Sequence, residues 1–236
     1  MTIRGLTIGN FDGVHLGHLA LLKELRARLP TDGQLLVYTF SNHPSHILSH
    51  LTPIPYICTL EHKLKLLKEA GVDDIYLTAF TAELAKTPFD QFLIDLKEKL
   101  DFSLLLLGED ARFGKDREGD PTKVRALGKR LGFEVIYIPK CKMEDQVISS
   151  TLIRTSIAQG DFSKASYYLG RPYSIYAPLI HGSMSLKNLC LPPSRIYKAN
   201  LHTQGKIYAV DAHILRTEAK IEGLPPLSAP FAELIF

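Results

Sequence analysis

A ten-residue stretch near the start of the chain decides the fold, and it reads Gly9-Asn10-Phe11-Asp12-Gly13-Val14-His15-Leu16-Gly17-His18. It follows an apolar run at residues 6–8 and leads into a helical pattern over residues 18–29 with leucines on one face. Gly9 and Gly13 permit a tight loop, and Gly17 lets a ligand approach the backbone closely. A helix N-terminus offers free amides and the positive end of the helix dipole. The stretch therefore predicts a strand–loop–helix unit that binds phosphate.

Strand and helix patterns alternate beyond this stretch. Apolar runs at residues 35–40, 75–77, 102–107 and 134–138 are typical of strands, and helical patterns cover residues 60–69, 88–100 and 121–131. Thr59 and Asp120 are predicted helix caps, and Gly71 and Gly132 are predicted stops. Continuous apolar strands alternating with helices predict a parallel α/β sheet covered on both faces. Ligands bind such sheets at the carboxyl ends of the strands, where the loops at Gly9 and Gly108 begin.

The overall composition argues against several classes of protein. The chain has 236 residues and a net charge of +3, which is too small to indicate a nucleic-acid or membrane-surface partner. Its three cysteines form no Cys-x-x-Cys pair, so we expect reduced thiols in a cytoplasmic protein. We find no signal-peptide pattern and no apolar run of membrane-spanning length. The oligomeric state stays open.

The character of the sequence changes near Arg171–Tyr173. Beyond it the helical pattern fades, residues 206–215 look like a strand, and prolines occur at positions 178, 192, 193, 225, 226 and 230. We therefore predict an α/β domain over residues 1–172 and a small β-rich domain over residues 173–236.

The two histidines of the first stretch are the leading candidates for chemistry. His15 and His18 are three positions apart, so at a helix start they share one face. Imidazoles there can donate hydrogen bonds to phosphate oxygens as charge develops in a transition state. Nucleotidyl transfer needs little more from side chains, because positioning and charge stabilisation dominate phosphoryl chemistry. Two surface histidines beside an ordinary loop are the alternative for a bare His-x-x-His, and the ten-residue context favours function.

A second candidate cluster lies at residues 148–154. The hydroxyls of Ser149, Ser150 and Thr151 precede a helix expected to begin near Leu152, where they can cap it and donate to phosphate. Arg154 lies about one turn further on and can reach the β- or γ-phosphate of a leaving pyrophosphate. A plain helix cap with a solvated arginine is the alternative.

His43, His46 and His50 have a spacing typical of metal ligands on a helix. Pro44 interrupts a helix between the first two, however, and neither a cysteine nor an acidic residue is near. We therefore predict no metal site.

Several segments together resemble the bacterial bifunctional riboflavin kinase/FAD synthetase family, and residues 15–18 resemble the His-x-Gly-His signature of the nucleotidyltransferase superfamily. The segments are residues 9–18, 39–44, 108–115, 148–154, 160–161 and 169–173. The resemblance implies a Rossmann-like domain that transfers AMP from ATP to FMN, with Mg²⁺ accompanying the ATP. Ala111 departs from the family, which usually has an aromatic residue there, and this puts a packing or stacking contact in doubt.

The resemblance also implies which residues act. His15, His18, Ser150, Thr151 and Arg154 would be catalytic. The residues implied to bind the nucleotides are Gly9, Asn10, Phe11, Asp12, Gly17, His43, Pro44, Gly108, Asp110 and Phe113. Of these, His43 and Pro44 would contact the flavin nucleotide, whereas Asp110 and Phe113 would contact adenine or ribose, with a plain glycine-bounded turn as the alternative for the Gly108 loop.

The family's kinase module is a β-barrel with a Gly-x-Pro-Thr-x-Asn motif for ATP and magnesium. Residues 191–196 of this chain read Leu-Pro-Pro-Ser-Arg-Ile and contain no such threonine and asparagine. We therefore expect a reduced barrel remnant without riboflavin kinase activity. The alternatives are a fully bifunctional enzyme, a relative acting on another acceptor such as nicotinate mononucleotide or phosphopantetheine, and a non-catalytic flavin-binding module.

Overall fold

The structure is a computed structural model, and it describes residues 3–48, 52–224 and 228–236. The helices are α1 (Leu16–Ala27), α2 (Leu60–Glu69), α3 (Ala82–Lys86), α4 (Phe89–Leu100), α5 (Pro121–Leu131), α6 (Ser150–Ala158) and α7 (Phe162–Leu169). The first strands are β1 (Arg4–Ile8), β2 (Gln34–Phe40), β3 (Asp74–Thr78), β4 (Leu104–Gly108), β5 (Glu134–Ile138), β6 (Lys142–Met143) and β7 (Gln146–Val147). The later strands are β8 (Ser174–Ile180), β9 (Ser183–Ser185), β10 (Ile196–Thr203), β11 (Lys206–Ile214), β12 (Glu218–Glu222) and β13 (Ala229–Ile235).

The first five strands form one parallel sheet in the order β3-β2-β1-β4-β5. Strand β1 is central, and the chain proceeds from it to β2 and β3 on one side before it crosses to β4 and β5 on the other. Ligands bind such sheets outside the carboxyl ends of the strands at this reversal of strand order. The loops after β1 and β4 both leave the sheet there, which confirms the parallel α/β prediction.

Helices cover both faces of this sheet. Leu6 and Ile8 point to a core built with apolar residues of α4 and α5, among them Leu93 and Val124. On the opposite face a Cβ added to Gly5 would lie 2.7 Å from Leu25 of α1, so this glycine permits close packing of the helix on the strand. The continuous apolar strands of the sequence are thus explained by burial on two faces.

Local signals in the sequence predict most element bounds well. Helix α2 covers the expected residues 60–69, and the Asp120 carboxylate caps α5 by accepting from the amides of Thr122 and Lys123. Gly132 ends α5 with φ 76°. Two predictions need correction: α1 begins at Leu16 rather than His18, and α6 begins at Ser150 rather than near Leu152. In α6 the earlier start follows from Ser149, which acts as the N-cap.

The C-terminal strands form a closed antiparallel barrel in the order β10-β11-β12-β9-β8-β13, with β13 pairing back to β10. Inward positions alternate along the strands, and several carry alanine, as at Ala177, Ala199 and Ala212. Small inward side chains suit the narrow interior of a six-stranded barrel. The prediction of a β-rich C-terminal part is confirmed, and its strands form a closed barrel.

Contacts divide the chain into two compact units. One contains Met1–Phe11, Gly17–Ile54 and Leu67–Val147, and the other contains Asp12–Leu16, Pro55–Leu66 and Ile148–Phe236. The first unit holds the parallel sheet, and the second holds the barrel together with α6 and α7. The barrel strands begin at Ser174, next to the expected boundary at residue 172. Within the described residues, no helix is both long and apolar enough to cross a membrane.

Candidate active site

The start of the loop after β1 is anchored to the neighbouring strand in the sheet unit. The Gly9 amide donates to the Tyr38 carbonyl over 3.1 Å, and the Thr39 hydroxyl donates to the Asn10 carbonyl over 3.2 Å. Phe11 is 1% exposed, and its ring centroid lies 5.0 Å from that of His18 in the first turn of α1. The buried Phe11 ring therefore orients His18, and Phe11 itself can offer a ligand little beyond its backbone.

The next residue, Asp12, belongs to the barrel unit and forms a buried ion pair. Its carboxylate accepts from the Ile57 amide over 2.9 and 3.1 Å and lies 2.6 Å from Nη2 of Arg154. Burial raises the pKa of Asp12 above its ordinary value, while the Arg154 guanidinium and the Ile57 amide act in the opposite direction. The carboxylate thus connects the loop to α6 and to the segment before α2.

Arg154 is more firmly engaged than the sequence suggests. Besides Nη2 on Asp12, its Nε donates to the Pro55 carbonyl over 2.7 Å. Among the described residues, its Nη1 has no hydrogen-bond acceptor. The guanidinium is held in place by protein groups on one edge, which preorganises the other edge.

His15 directly precedes α1 and is 6% exposed. Burial, together with the positive charges of Arg171 and Arg154, lowers the pKa of His15 from 6.5 to about 4. The imidazole is therefore neutral at pH 7 and can donate one N–H. Along the chain, His15 directly precedes α1 and His18 lies in its first turn.

The backbone around His15 is held in an unusual conformation. Gly13 has φ 77°, and the β-branched Val14 has φ 37°, a region that costs such a residue about 1–3 kcal/mol. The Arg171 guanidinium donates to the Gly13 carbonyl over 2.6 Å and to the Val14 carbonyl over 3.0 Å. A backbone strained in this way persists only when its surroundings stabilise it.

The hydroxyl cluster lies at the N-terminus of α6. Ser149 accepts the Leu152 amide over 3.3 Å, whereas Ser150 and Thr151 occupy the first turn of the helix itself. Thr151 is exposed and Ser150 is half-buried. Ser149 therefore has the capping role, and the other two hydroxyls are the ones left to meet a ligand.

His43 and Pro44 begin a 3-10 turn after β2. Nδ1 of His43 accepts the Ser45 amide over 3.1 Å, so the ring proton is assigned to Nε2. Nε2 of His46 lies 2.8 Å from the Ile54 carbonyl. His50 lies outside the described residues. Among the residues that are described, no three His, Cys, Asp or Glu side chains are grouped to hold a metal ion.

The two candidate residues in the loop after β4 differ in their exposure to solvent. Asp110 is exposed and pairs with Lys140 over 2.9 Å. Phe113 is half-buried and stacks on Phe92 of α4 with ring centroids 6.2 Å apart. Ala111 also packs against this core. A contact of Asp110 or Phe113 with a nucleotide stays a prediction, and Phe113 has a packing role besides.

Sequence reasoning assigned no functional role to Arg171, which lies in the family-like segment 169–173, or to His62, which no local pattern marks. His62 is 1% exposed, and its Nε2 lies 3.7 Å from Oε1 of Glu233. Glu233 also accepts from Lys65 over 2.7 Å and from Ser174 over 2.8 Å. These groups lie on α2, β8 and β13, which are far apart in the sequence. The sequence alone therefore does not show that they form a cluster.

This buried histidine predicts that the protein loses stability in acid. Burial lowers the pKa of His62 to about 4, with Arg171 adding to the effect and Glu233 opposing it. Because the folded pKa is below the ordinary 6.5, the unfolded chain binds the proton more readily. Stability is therefore complete above pH 6.5 and falls towards pH 4, by up to about 1.4 kcal/mol per pH unit for one proton.

Urea unfolding of His62→Asn at several pH values checks this prediction. We expect a shallower fall in unfolding free energy between pH 6.5 and 4 than in the parent protein. His181→Asn, at an exposed turn residue, is the matched control and should keep the parent slope. Equal slopes in both variants and the parent would rule out His62 as the acid-sensitive group.

The parallel sheet with its strand–loop–helix at the reversal of strand order, carrying His-x-Gly-His, defines a Rossmann-like nucleotidyltransferase. The FAD synthetase family profile matches residues 4–152. The chain belongs to the FAD synthetase family, whose domain is an FMN adenylyltransferase.

Similar proteins agree with this assignment. The chain is 33% identical to the bifunctional riboflavin kinase/FMN adenylyltransferase of Haemophilus influenzae, over 89% of this chain and 69% of that protein. It is 32% identical to the protein of the same description from Listeria monocytogenes, of which it spans 61%, and 32% identical to a Listeria FAD synthetase, of which it spans 80%. A solved structure described as a macrolide-efflux protein from Streptococcus pneumoniae matches all of this chain and 84% of its own, with a TM-score of 0.82 and 22% identity. At that identity the match shows the fold alone.

Proposed function

We propose that this protein transfers the adenylyl group of ATP to FMN, giving FAD and pyrophosphate. The observation that carries the proposal is the position of His15 and His18 at the N-terminus of α1, directly after the central strand of the sheet, in a chain of the FAD synthetase family. A phosphate bound at a helix N-terminus meets its free backbone amides.

The proposed chemistry is an in-line displacement. An oxygen of the FMN phosphate attacks the α-phosphorus of ATP, the new O–P bond forms, and the bond to pyrophosphate breaks. The attacking phosphate is already ionised, so the protein need not supply a strong base. His15, as a neutral N–H donor, and His18 stabilise the charge that develops on the transferred group. Ser150, Thr151 and Nη1 of Arg154 hold the leaving pyrophosphate.

Nucleotide binding is proposed for the remaining candidate residues. Gly9, Asn10 and Gly17 supply backbone for close approach, and His43 with Pro44 contacts the flavin nucleotide. Asp12 acts through Arg154 rather than on a substrate, because its oxygens are taken up by Arg154 and the Ile57 amide.

Magnesium enters the proposal only as the companion of ATP. Mg²⁺ is usually bound through one or two carboxylates together with substrate phosphates. The carboxylate of the loop, Asp12, already binds Arg154, and the described residues hold no group of metal ligands. The protein side chains therefore do not fit a resident metal site, and we derive no step through one.

We further propose that riboflavin kinase activity is absent. The barrel closes as six strands, but the segment before β10 reads Leu191-Pro192-Pro193-Ser194-Arg195 and lacks the threonine and asparagine of the kinase motif. A barrel that keeps its fold without these side chains lacks the groups that would bind the second ATP.

One assay with two substrates tests both proposals. Purified protein with ATP and magnesium should convert FMN to FAD and should leave riboflavin unchanged, as read by chromatography of the flavins. FMN formed from riboflavin would show a bifunctional enzyme. No FAD from FMN would overturn the main proposal, and a bound yellow flavin without turnover would then indicate a binding module.

A panel of other acceptors checks the substrate. Nicotinate mononucleotide and phosphopantetheine, each with ATP and magnesium, should give no adenylylated product. Turnover of either one at a rate above that of FMN would assign the chain to another reaction of the superfamily.

A further inference from the structure

We propose that Arg171 is a positioning residue for adenylyl transfer, which clamps the Gly13 and Val14 carbonyls and thereby holds His15 in its reactive orientation. This inference rests on the proposed function and deepens it. Two of the Arg171 hydrogen bonds go to the backbone immediately before His15, and a longer one goes from Nη1 to the Leu169 carbonyl over 3.4 Å.

The geometry of the clamp is that of a planar fork on two adjacent carbonyls. Nη2 donates to the Gly13 carbonyl over 2.6 Å, and Nη1 donates to the Val14 carbonyl over 3.0 Å. Guanidinium groups are well suited to such paired contacts because their donors are fixed in one plane. Both of the residues whose carbonyls accept from Arg171 have positive φ values, 77° for Gly13 and 37° for Val14.

A β-branched residue such as Val14 leaves this conformation unless something holds it there. Release of Val14 to ordinary φ would rotate the peptide that leads into His15. The clamp therefore controls the direction of the His15 imidazole, although it contacts only main-chain atoms.

The residue before Arg171, Gly170, packs closely against another side chain. Gly170 ends α7 with φ 74°, and a Cβ added there would overlap the side chain of Leu16. Glycine is thus required both by the backbone conformation and by the space available. Arg171 follows directly, so α7 delivers the guanidinium to the loop.

The same guanidinium also lowers the pKa of His15, after the larger effect of burial. Arg171 and Arg154 both act on His15 through their charges, and the charge of Arg154 is partly offset by its ion pair with Asp12. Burial is the larger influence on the His15 pKa, and Arg171 is the largest of the charges. Loss of Arg171 should therefore both free the loop and let His15 take up a proton at higher pH.

Arg171→Gln tests the clamp by kinetics and by NMR of the histidine ring protons. We expect kcat for FAD formation to fall about 10- to 100-fold, with small changes in KM, because misplacement of a catalytic group affects the chemical step. We expect the His15 pKa to rise from about 4. Arg195→Gln, an exposed arginine lying over the Tyr197 ring in the same unit, is the control and should change neither.

If Arg171 had a purely structural role, the substitution would lower the melting temperature only. The His15 pKa, and kcat measured well below the melting temperature, would then match those of the parent. A folded Arg171→Gln protein with the kcat and His15 titration of the parent would overturn the proposal. If that variant does not fold, Arg171→Lys carries the test: it keeps the charge but not the planar fork. It should lose about tenfold in kcat while His15 stays neutral, and an unchanged kcat would overturn the clamp.

Failure of the proposed function is recognised separately. A parent protein that makes no FAD overturns adenylyl transfer and its positioning residue together. The His15 titration of Arg171→Gln still reports whether the clamp controls the imidazole, since it needs no substrate.

Discussion

Replacing His18 by alanine is expected to lower kcat for FAD formation by about 10²- to 10³-fold, the loss typical when one preorganised donor is removed from a transition state. His18 lies in the first turn of α1, and its ring packs on Phe11 with centroids 5.0 Å apart. The imidazole is therefore already oriented before the reaction begins. His15→Ala should have an effect of similar size. The affinity for ATP should change little, because the amides of α1 remain in both variants.

Steady-state kinetics separate the effect on kcat from the effect on ATP affinity. FMN is varied at saturating ATP, and ATP is then varied at saturating FMN. His213→Ala, which removes a partly exposed histidine from β11, is the matched control and should keep the parent kcat. If His15→Ala and His18→Ala both turned over within threefold of the parent, the helix start would not be the reaction site.

Replacing Asp12 by asparagine is expected to lower the free energy of unfolding by about 3–5 kcal/mol, because it leaves the buried Arg154 charge without its partner. The side chains of this pair are 7% and 14% exposed, and the loop, α6 and the segment before α2 all meet at it. Denaturant unfolding measures the loss. Arg154→Met should cost a similar amount, and the double variant should cost less than the sum.

The pair Glu24–Arg28 on α1 provides the control. It has the same N–O separation of 2.6 Å, but its side chains are 41% and 43% exposed. Glu24→Gln should therefore change the free energy of unfolding by no more than about 0.5 kcal/mol. If the Asp12→Asn and Glu24→Gln proteins had equal free energies of unfolding, the buried ion pair would contribute no more to stability than the exposed one.

Local signals account for the parts of the fold that the sequence predicts. Helix α2, strand β5 and the ends of α5 follow from short-range effects: apolar periodicity, a capping carboxylate at Asp120, and a glycine at position 132. The phosphate-binding character of the Gly9–His18 stretch is local in the same sense, since it depends on one strand, one loop and one helix start.

The remainder depends on contacts between distant parts of the chain. The Arg171 fork reaches back 158 positions to Gly13, and the buried His62 of α2 lies 3.7 Å from Oε1 of Glu233 in β13. Neither residue has a sequence neighbour that indicates its partner. The pairing of short strands such as β9 with β12 likewise depends on contacts that no local sequence signal gives.

The Asp12–Arg154 ion pair also limits how early the loop can fold during translation. The two residues are 142 positions apart in the chain. Since ribosomes add about 5–20 residues per second, the aspartate emerges roughly 7–28 seconds before its partner exists. Throughout that interval the nascent loop is without the arginine that neutralises it, and the histidine stretch can reach its final form only when translation is well past its midpoint.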